Sequence, residues 1–155
     1  MTEVKSRSKV SSWAYALRTT NPPPDAPLDV VTRWLVVTRA AVLPMTLVAG
    51  LVAALLAVGE PGLDWRWLVL ALIGITLAHI ANNLMNDLFD TQVGTDSATY
   101  PRALYAPHPV LSELVTRRTL VLSILLVNIA DLGILVVLTL ARGWPVLAFA
   151  LGASS

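Results

Sequence analysis

Cysteine is absent from this chain, which removes disulfides, thiolate catalysis and sulfur-ligated metal sites. Charge is scarce as well. Charged residues fill 14% of 155 positions, against about 25% in an ordinary soluble domain. The formal net charge is +1, so bulk charge gives no footing for nucleic-acid binding. The basic start (Lys5, Arg7, Lys9) is not followed by an apolar core and a small-residue cleavage site, so it does not read as a signal peptide.

Apolar residues are abundant instead, at 55%. A chain this short leaves much of its surface outside any core. So apolar a composition points to lipid as the solvent. The sequence therefore predicts an all-α, polytopic transmembrane helical bundle, with a soluble bundle of very apolar helices as the alternative. Runs of about 20 apolar residues span a bilayer. Three are expected, at roughly 34–58, 65–90 and 120–141, and Gly143-Trp144 opens a fourth that continues to the last residues. Pro44, inside the first run, reads as a kink. Residues 1–32 hold Pro22-Pro23-Pro24 and read as a flexible N-terminal arm, with 33–155 as the membrane domain.

Lys and Arg are uneven around these runs. Lys5, Arg7, Lys9, Arg18, Arg33 and Arg39 come before or at the start of the first, and the long second connection, about 91–118, holds Arg102, Arg117 and Arg118. The first and third connections hold only Arg66 and Arg142. The positive-inside rule then expects a multi-pass chain with its N-terminus and the 91–118 loop in the cytoplasm. Trp34, Trp65, Trp67 and Trp144 fall near run ends, where aromatic belts belong.

One segment carries the chemistry. His79, Asn82, Asn83, Asn86, Asp87 and Asp90 are spaced 3, 1, 3, 1, 3 at the end of the second run. At helical periodicity they share an arc of about 140°. Acids and amides inside a membrane helix are costly and need a polar cavity, water or an ion. The set supplies oxygen donors, which suit a hard cation such as Mg²⁺ with a phosphorylated substrate. Transition metals are less favoured, because His79 lies nearly three turns from Asp90. The competing structural reading is an interhelical hydrogen-bond seam, and for His79 taken alone a packing role is preferred. Asp96, after Gly94, either adds a third carboxylate or is a solvated loop acid. Arg102 either reaches a phosphate or is an orientation charge. Asp131, with Asn128 one turn away, either lines a cavity or pairs with a polar group on a further helix.

The run Asn86-Asp87-Leu88-Phe89-Asp90-Thr91-Gln92-Val93-Gly94-Thr95-Asp96 resembles the first aspartate-rich motif of the UbiA superfamily of intramembrane prenyltransferases. Its form is similar to that of the branch acting on 1,4-dihydroxy-2-naphthoate on the way to menaquinone. Arg39 and Pro44 resemble the family's Arg and Pro in the first span. The usual third acid is replaced by Gly94, with Asp96 two residues on. The loop 97–109 is not a close copy of the family's basic stretch, and no second aspartate-rich motif is present.

The resemblance implies Mg²⁺-dependent transfer of a polyprenyl group from a polyprenyl diphosphate to an aromatic acceptor, in the plasma membrane. Asn86, Asp87 and Asp90 would be catalytic, and Asp87, Asp90 and Asp96 would hold the metal. Asn82, Asn83, Asn86 and Arg102 would bind substrate. Family members have about nine spans, so the chain is expected to be the N-terminal part of a longer protein, inactive by itself. The alternatives are a non-catalytic membrane protein (a degenerate prenyltransferase remnant or a small transport or assembly subunit) and an ion-pathway protein.

Overall fold

A computed structural model describes residues 8–24, 26, 28–93 and 112–153, without the side chains of 90–93 and 153. Among the described residues the structure is all-helical, with no strand.

Helix α1 covers Lys9–Thr19, where a flexible arm was expected. Ser8 caps it, its side-chain oxygen accepting from the Ser11 N–H. The helix stops at Thr20, which takes a left-handed φ of 59°. The prolines then occupy the link to α2, Val30–Val37. Asp29 caps α2 by accepting from the Thr32 N–H (3.0 Å) and hydroxyl (2.7 Å). The same carboxylate accepts from the Trp13 indole N–H at 3.2 Å, which ties α1 to α2. These donors, the Thr32 hydroxyl foremost, lower the Asp29 pKa to about 2.

The first apolar run is not one kinked helix. It breaks at Arg39, a left-handed residue (φ 53°, ψ 45°) that leads into a 3₁₀ turn at Ala40–Val42. Helix α3, Leu43–Ala57, follows with Pro44 in its first turn. Pro44 therefore starts a helix where the sequence suggested a kink, because at that position its missing N–H has no intrahelical partner to lose.

Helix α4 runs from Trp65 to Val93 and α5 from Arg117 to Arg142. Asp64 accepts from the Arg66 N–H at the start of α4 (2.9 Å), and that bond lowers its pKa. Thr116 caps α5, and Gly143, at φ 90°, ends it. Helix α6, Trp144–Ala153, follows. Leu84 of α4 and Leu120 of α5 share one core cluster, while Gly74 of α4 meets Ile134 of α5 further along. The two helices are therefore antiparallel. Gly74 permits that approach, since a Cβ there would sit 3.2 Å from Ile134 Cγ2.

The segments 40–57, 65–89 and 117–142 are each long and apolar enough to cross a membrane. Along the whole of α5 only Leu120 and Leu138 are buried inside the protein. Leu126, Ile129 and Leu140 are exposed side chains on it. Surfaces of this kind belong in lipid, which marks a multi-pass membrane chain. The core lies at one end of the bundle, not along its length. Ala16, Val36, Val37, Leu84, Leu114, Val115 and Leu120 gather where α1 and α2 meet the end of α4 and the start of α5.

Candidate functional site

The polar stripe of α4 lies at that packed end, and the fold divides it. Asn83 and Asp87 are buried, and Asp87 is wholly so. Asn82 and Asn86 are exposed. The division follows helical geometry. Asn83 and Asp87 lie on one flank of the arc, and Asn82 and Asn86 on the other, with roughly 60° between the nearest members.

The buried flank faces the break in the first apolar run. Arg39 Nη2 donates to Asp87 Oδ1 in an ion pair. The Asn83 amide donates to the Thr38 carbonyl at 3.4 Å, one residue before the left-handed turn. A broken helix leaves backbone carbonyls without intrahelical donors, and Asn83 supplies one. Deeper in the bundle, His79 Nδ1 shares a hydrogen bond with the Thr46 hydroxyl, joining α3 to α4. That contact agrees with a packing role for His79.

The ion pair has a physical logic. A lone carboxylate in a wholly buried position would be strongly destabilising. Arg39 compensates it while keeping 24% of its own side chain exposed, so the guanidinium retains access to the outside.

The other sequence-predicted residues are distributed unevenly. Asn86 lies next to Asp87 and has no hydrogen-bond partner among the described residues. Asp90 lies in the last turn of α4, with its side chain outside the described residues. Asp96 and Arg102 also fall outside them. Among the described residues no three His, Asp or Glu side chains are grouped to hold a metal ion. Asp131 sits at the α4–α5 contact, its Oδ1 3.4 Å from where a Cβ on Gly74 would be. The partnerships of Asp87 with Arg39, Asn83 with Thr38 and His79 with Thr46 were not foreseen from sequence. The one available signal was the position of Asn83 and Asp87 on the same flank of the stripe.

Comparison with protein-family models, curated proteins and solved structures finds no match to this chain.

Proposed function

We propose that the chain forms part of a membrane prenyltransferase of the UbiA type, transferring a polyprenyl group from its diphosphate to an aromatic acceptor resembling 1,4-dihydroxy-2-naphthoate. The observation that carries the reading is the meeting of Arg39 with Asp87 beside Asn86. It joins a guanidinium suited to phosphate oxygens with oxygen donors suited to Mg²⁺, at the end of an apolar helix.

The donor chemistry fits Mg²⁺. Asp87 and Asp90 would hold it, with Asp96 as a further ligand and Asn86 alongside. When bound, the metal supplies Lewis-acid neutralisation of the diphosphate leaving group. The chain's own residues do the rest. Arg39 exchanges its partner Asp87 for phosphate oxygens, so that the buried carboxylate and the guanidinium both stay compensated. Asn82 and Asn86 offer amide groups to the diphosphate, joined by Arg102, while Asn83 stays on the Thr38 carbonyl. The apolar faces of α3 and α5 hold the isoprenoid tail and keep water from the allylic carbon as its bond to oxygen breaks. On this reading the chain resides in the plasma membrane, with its N-terminus and the 91–118 loop in the cytoplasm.

The test uses membranes carrying the native reading frame, with Mg²⁺, a radiolabelled polyprenyl diphosphate and dihydroxynaphthoate. Prenylated product is expected from the wild type and is lost with chelator and in Asp90→Asn. A folded protein that yields no product with any of several aromatic acceptors overturns the assignment.

A second reading is favoured by the complete burial of Asp87. There the Arg39–Asp87 pair only clamps α4 to the break after α2, and the protein is a non-catalytic membrane subunit. It predicts that Asp90→Asn leaves every property of the folded protein unchanged.

A further inference from the structure

A cleft of about 270 Å³ opens beside the start of α5, away from the stripe's own residues. Arg33, Trp34, Glu113, Thr116 and Thr119 line it, and the buried side chains of Leu114 and Val115 complete it. Its charges are of both signs and are uncommitted. Neither Arg33 nor Glu113 forms an ion pair with the other or with any described residue. Both are exposed, and Glu113 takes a left-handed φ of 55°, uncommon for a non-glycine residue.

The hydroxyls add donor capacity. Thr116 and Thr119 share one hydrogen bond of 2.8 Å between their side-chain oxygens. Two hydroxyls carry two O–H groups, and that bond uses one, so the second can donate to a ligand. The cleft stands at the level where a bilayer's headgroups lie, because the membrane-crossing segment of α5 begins at Arg117. A tryptophan at that level is the usual interfacial anchor.

We propose that this cleft binds a phosphate–ammonium zwitterion, the phosphoethanolamine headgroup of a bilayer lipid. Arg33 and the free threonine O–H take the phosphate, helped by the positive end of α5. Glu113 accepts from the ammonium, and the Trp34 ring offers it a cation–π face. The arrangement selects against two common relatives. A phosphatidylglycerol headgroup brings no cation for Glu113. A phosphatidylcholine headgroup brings a cation with no N–H to donate.

The experiment is native mass spectrometry of the chain released from nanodiscs holding equal parts phosphatidylethanolamine, phosphatidylcholine and phosphatidylglycerol. Phosphatidylethanolamine is expected to be retained over each of the others by about fivefold, the size of one partly exposed charge pair. Glu113→Gln is expected to abolish that preference and to raise phosphatidylglycerol retention. Arg33→Gln is expected to lower retention of all three. Equal retention of the three lipids by the unaltered chain, or an unchanged profile in Glu113→Gln, overturns the proposal. A separate arm titrates soluble phosphoethanolamine onto the unaltered chain in phosphatidylcholine nanodiscs. Saturable binding there, without lipid preference in the first arm, assigns the site to a soluble ligand and overturns the lipid source.

Discussion

Arg39 and Asp87, 48 positions apart in the chain, close an ion pair that holds the start of the first membrane-crossing segment against the polar end of α4. The left-handed backbone of Arg39 and the total burial of Asp87 meet in this one contact.

Breaking the pair from the two sides should cost different amounts. Arg39→Leu leaves Asp87 buried without its cation and is expected to destabilise the fold by about 3 kcal/mol. Asp87→Asn leaves an arginine that can turn outward and should cost less. The double variant should recover part of the loss. Denaturant titration in mixed micelles reads all three, and single costs that simply add in the double variant would show that the pair contributes little.

The Asp29 carboxylate predicts a pH dependence for the α1–α2 junction. Its pKa falls from 3.8 to about 2 on folding. A depressed carboxylate stabilises the folded state above its unfolded pKa and loses that contribution as pH falls through the folded value. The Trp13 indole N–H resonance is therefore expected to hold its bonded position down to about pH 4 and to move as pH approaches 2. In Asp29→Asn the same resonance should be flat across that interval.

Two glycines on facing helices should respond in opposite directions. A Cβ on Gly74 would press on Ile134 at 3.2 Å and on Asp131 at 3.4 Å. Gly74→Ala is expected to loosen the α4–α5 contact by about 1 kcal/mol. Gly133 has open space around it, so Gly133→Ala should be neutral or gain up to about 1 kcal/mol from helix propensity. Thermal unfolding in detergent separates the two.

Thr20 ends α1 in a left-handed conformation that a β-branched side chain tolerates poorly. Thr20→Gly is expected to stabilise the α1–α2 unit by about 1 kcal/mol, read as slower proteolysis within the proline link.

The bond between Thr46 and His79 offers a milder probe. Thr46→Val keeps the shape and removes the hydroxyl, and a membrane hydrogen bond of this kind averages about 0.6 kcal/mol. A cost well above 1 kcal/mol, read in the same micelle titration, would mean that His79 does more than join α3 to α4.

Much of this architecture is written locally. The long apolar runs at 65–89 and 117–142 are helices because lipid leaves the backbone no other way to satisfy its hydrogen bonds. Spacing alone put His79, the three asparagines and the two acids on one arc of α4. The first run was harder to read. Thr38 and Arg39 interrupt its hydropathy, but a polar pair near the start of a span reads as an interfacial charge and does not by itself announce a helix break. Pro44 drew attention to the wrong residue, because proline is as comfortable in the first turn of a helix as at a kink. Helix α1, inside the N-terminal arm, is hard to read for a related reason. Its eleven helical residues are too few to persist alone, and they hold through contacts with α2 and through the Trp13–Asp29 bond.

The sequence by itself determined that this chain is helical and built for a membrane, and that its polar chemistry is concentrated at the end of one helix. Periodicity and hydropathy are short-range properties, carried in every window of residues. Only the tertiary structure decided which flank of the stripe is buried, that Arg39 is the partner of Asp87, and that the core sits at one end. Those facts depend on side chains dozens of positions apart coming into contact, and on a buried carboxylate requiring whichever cation the fold brings within reach.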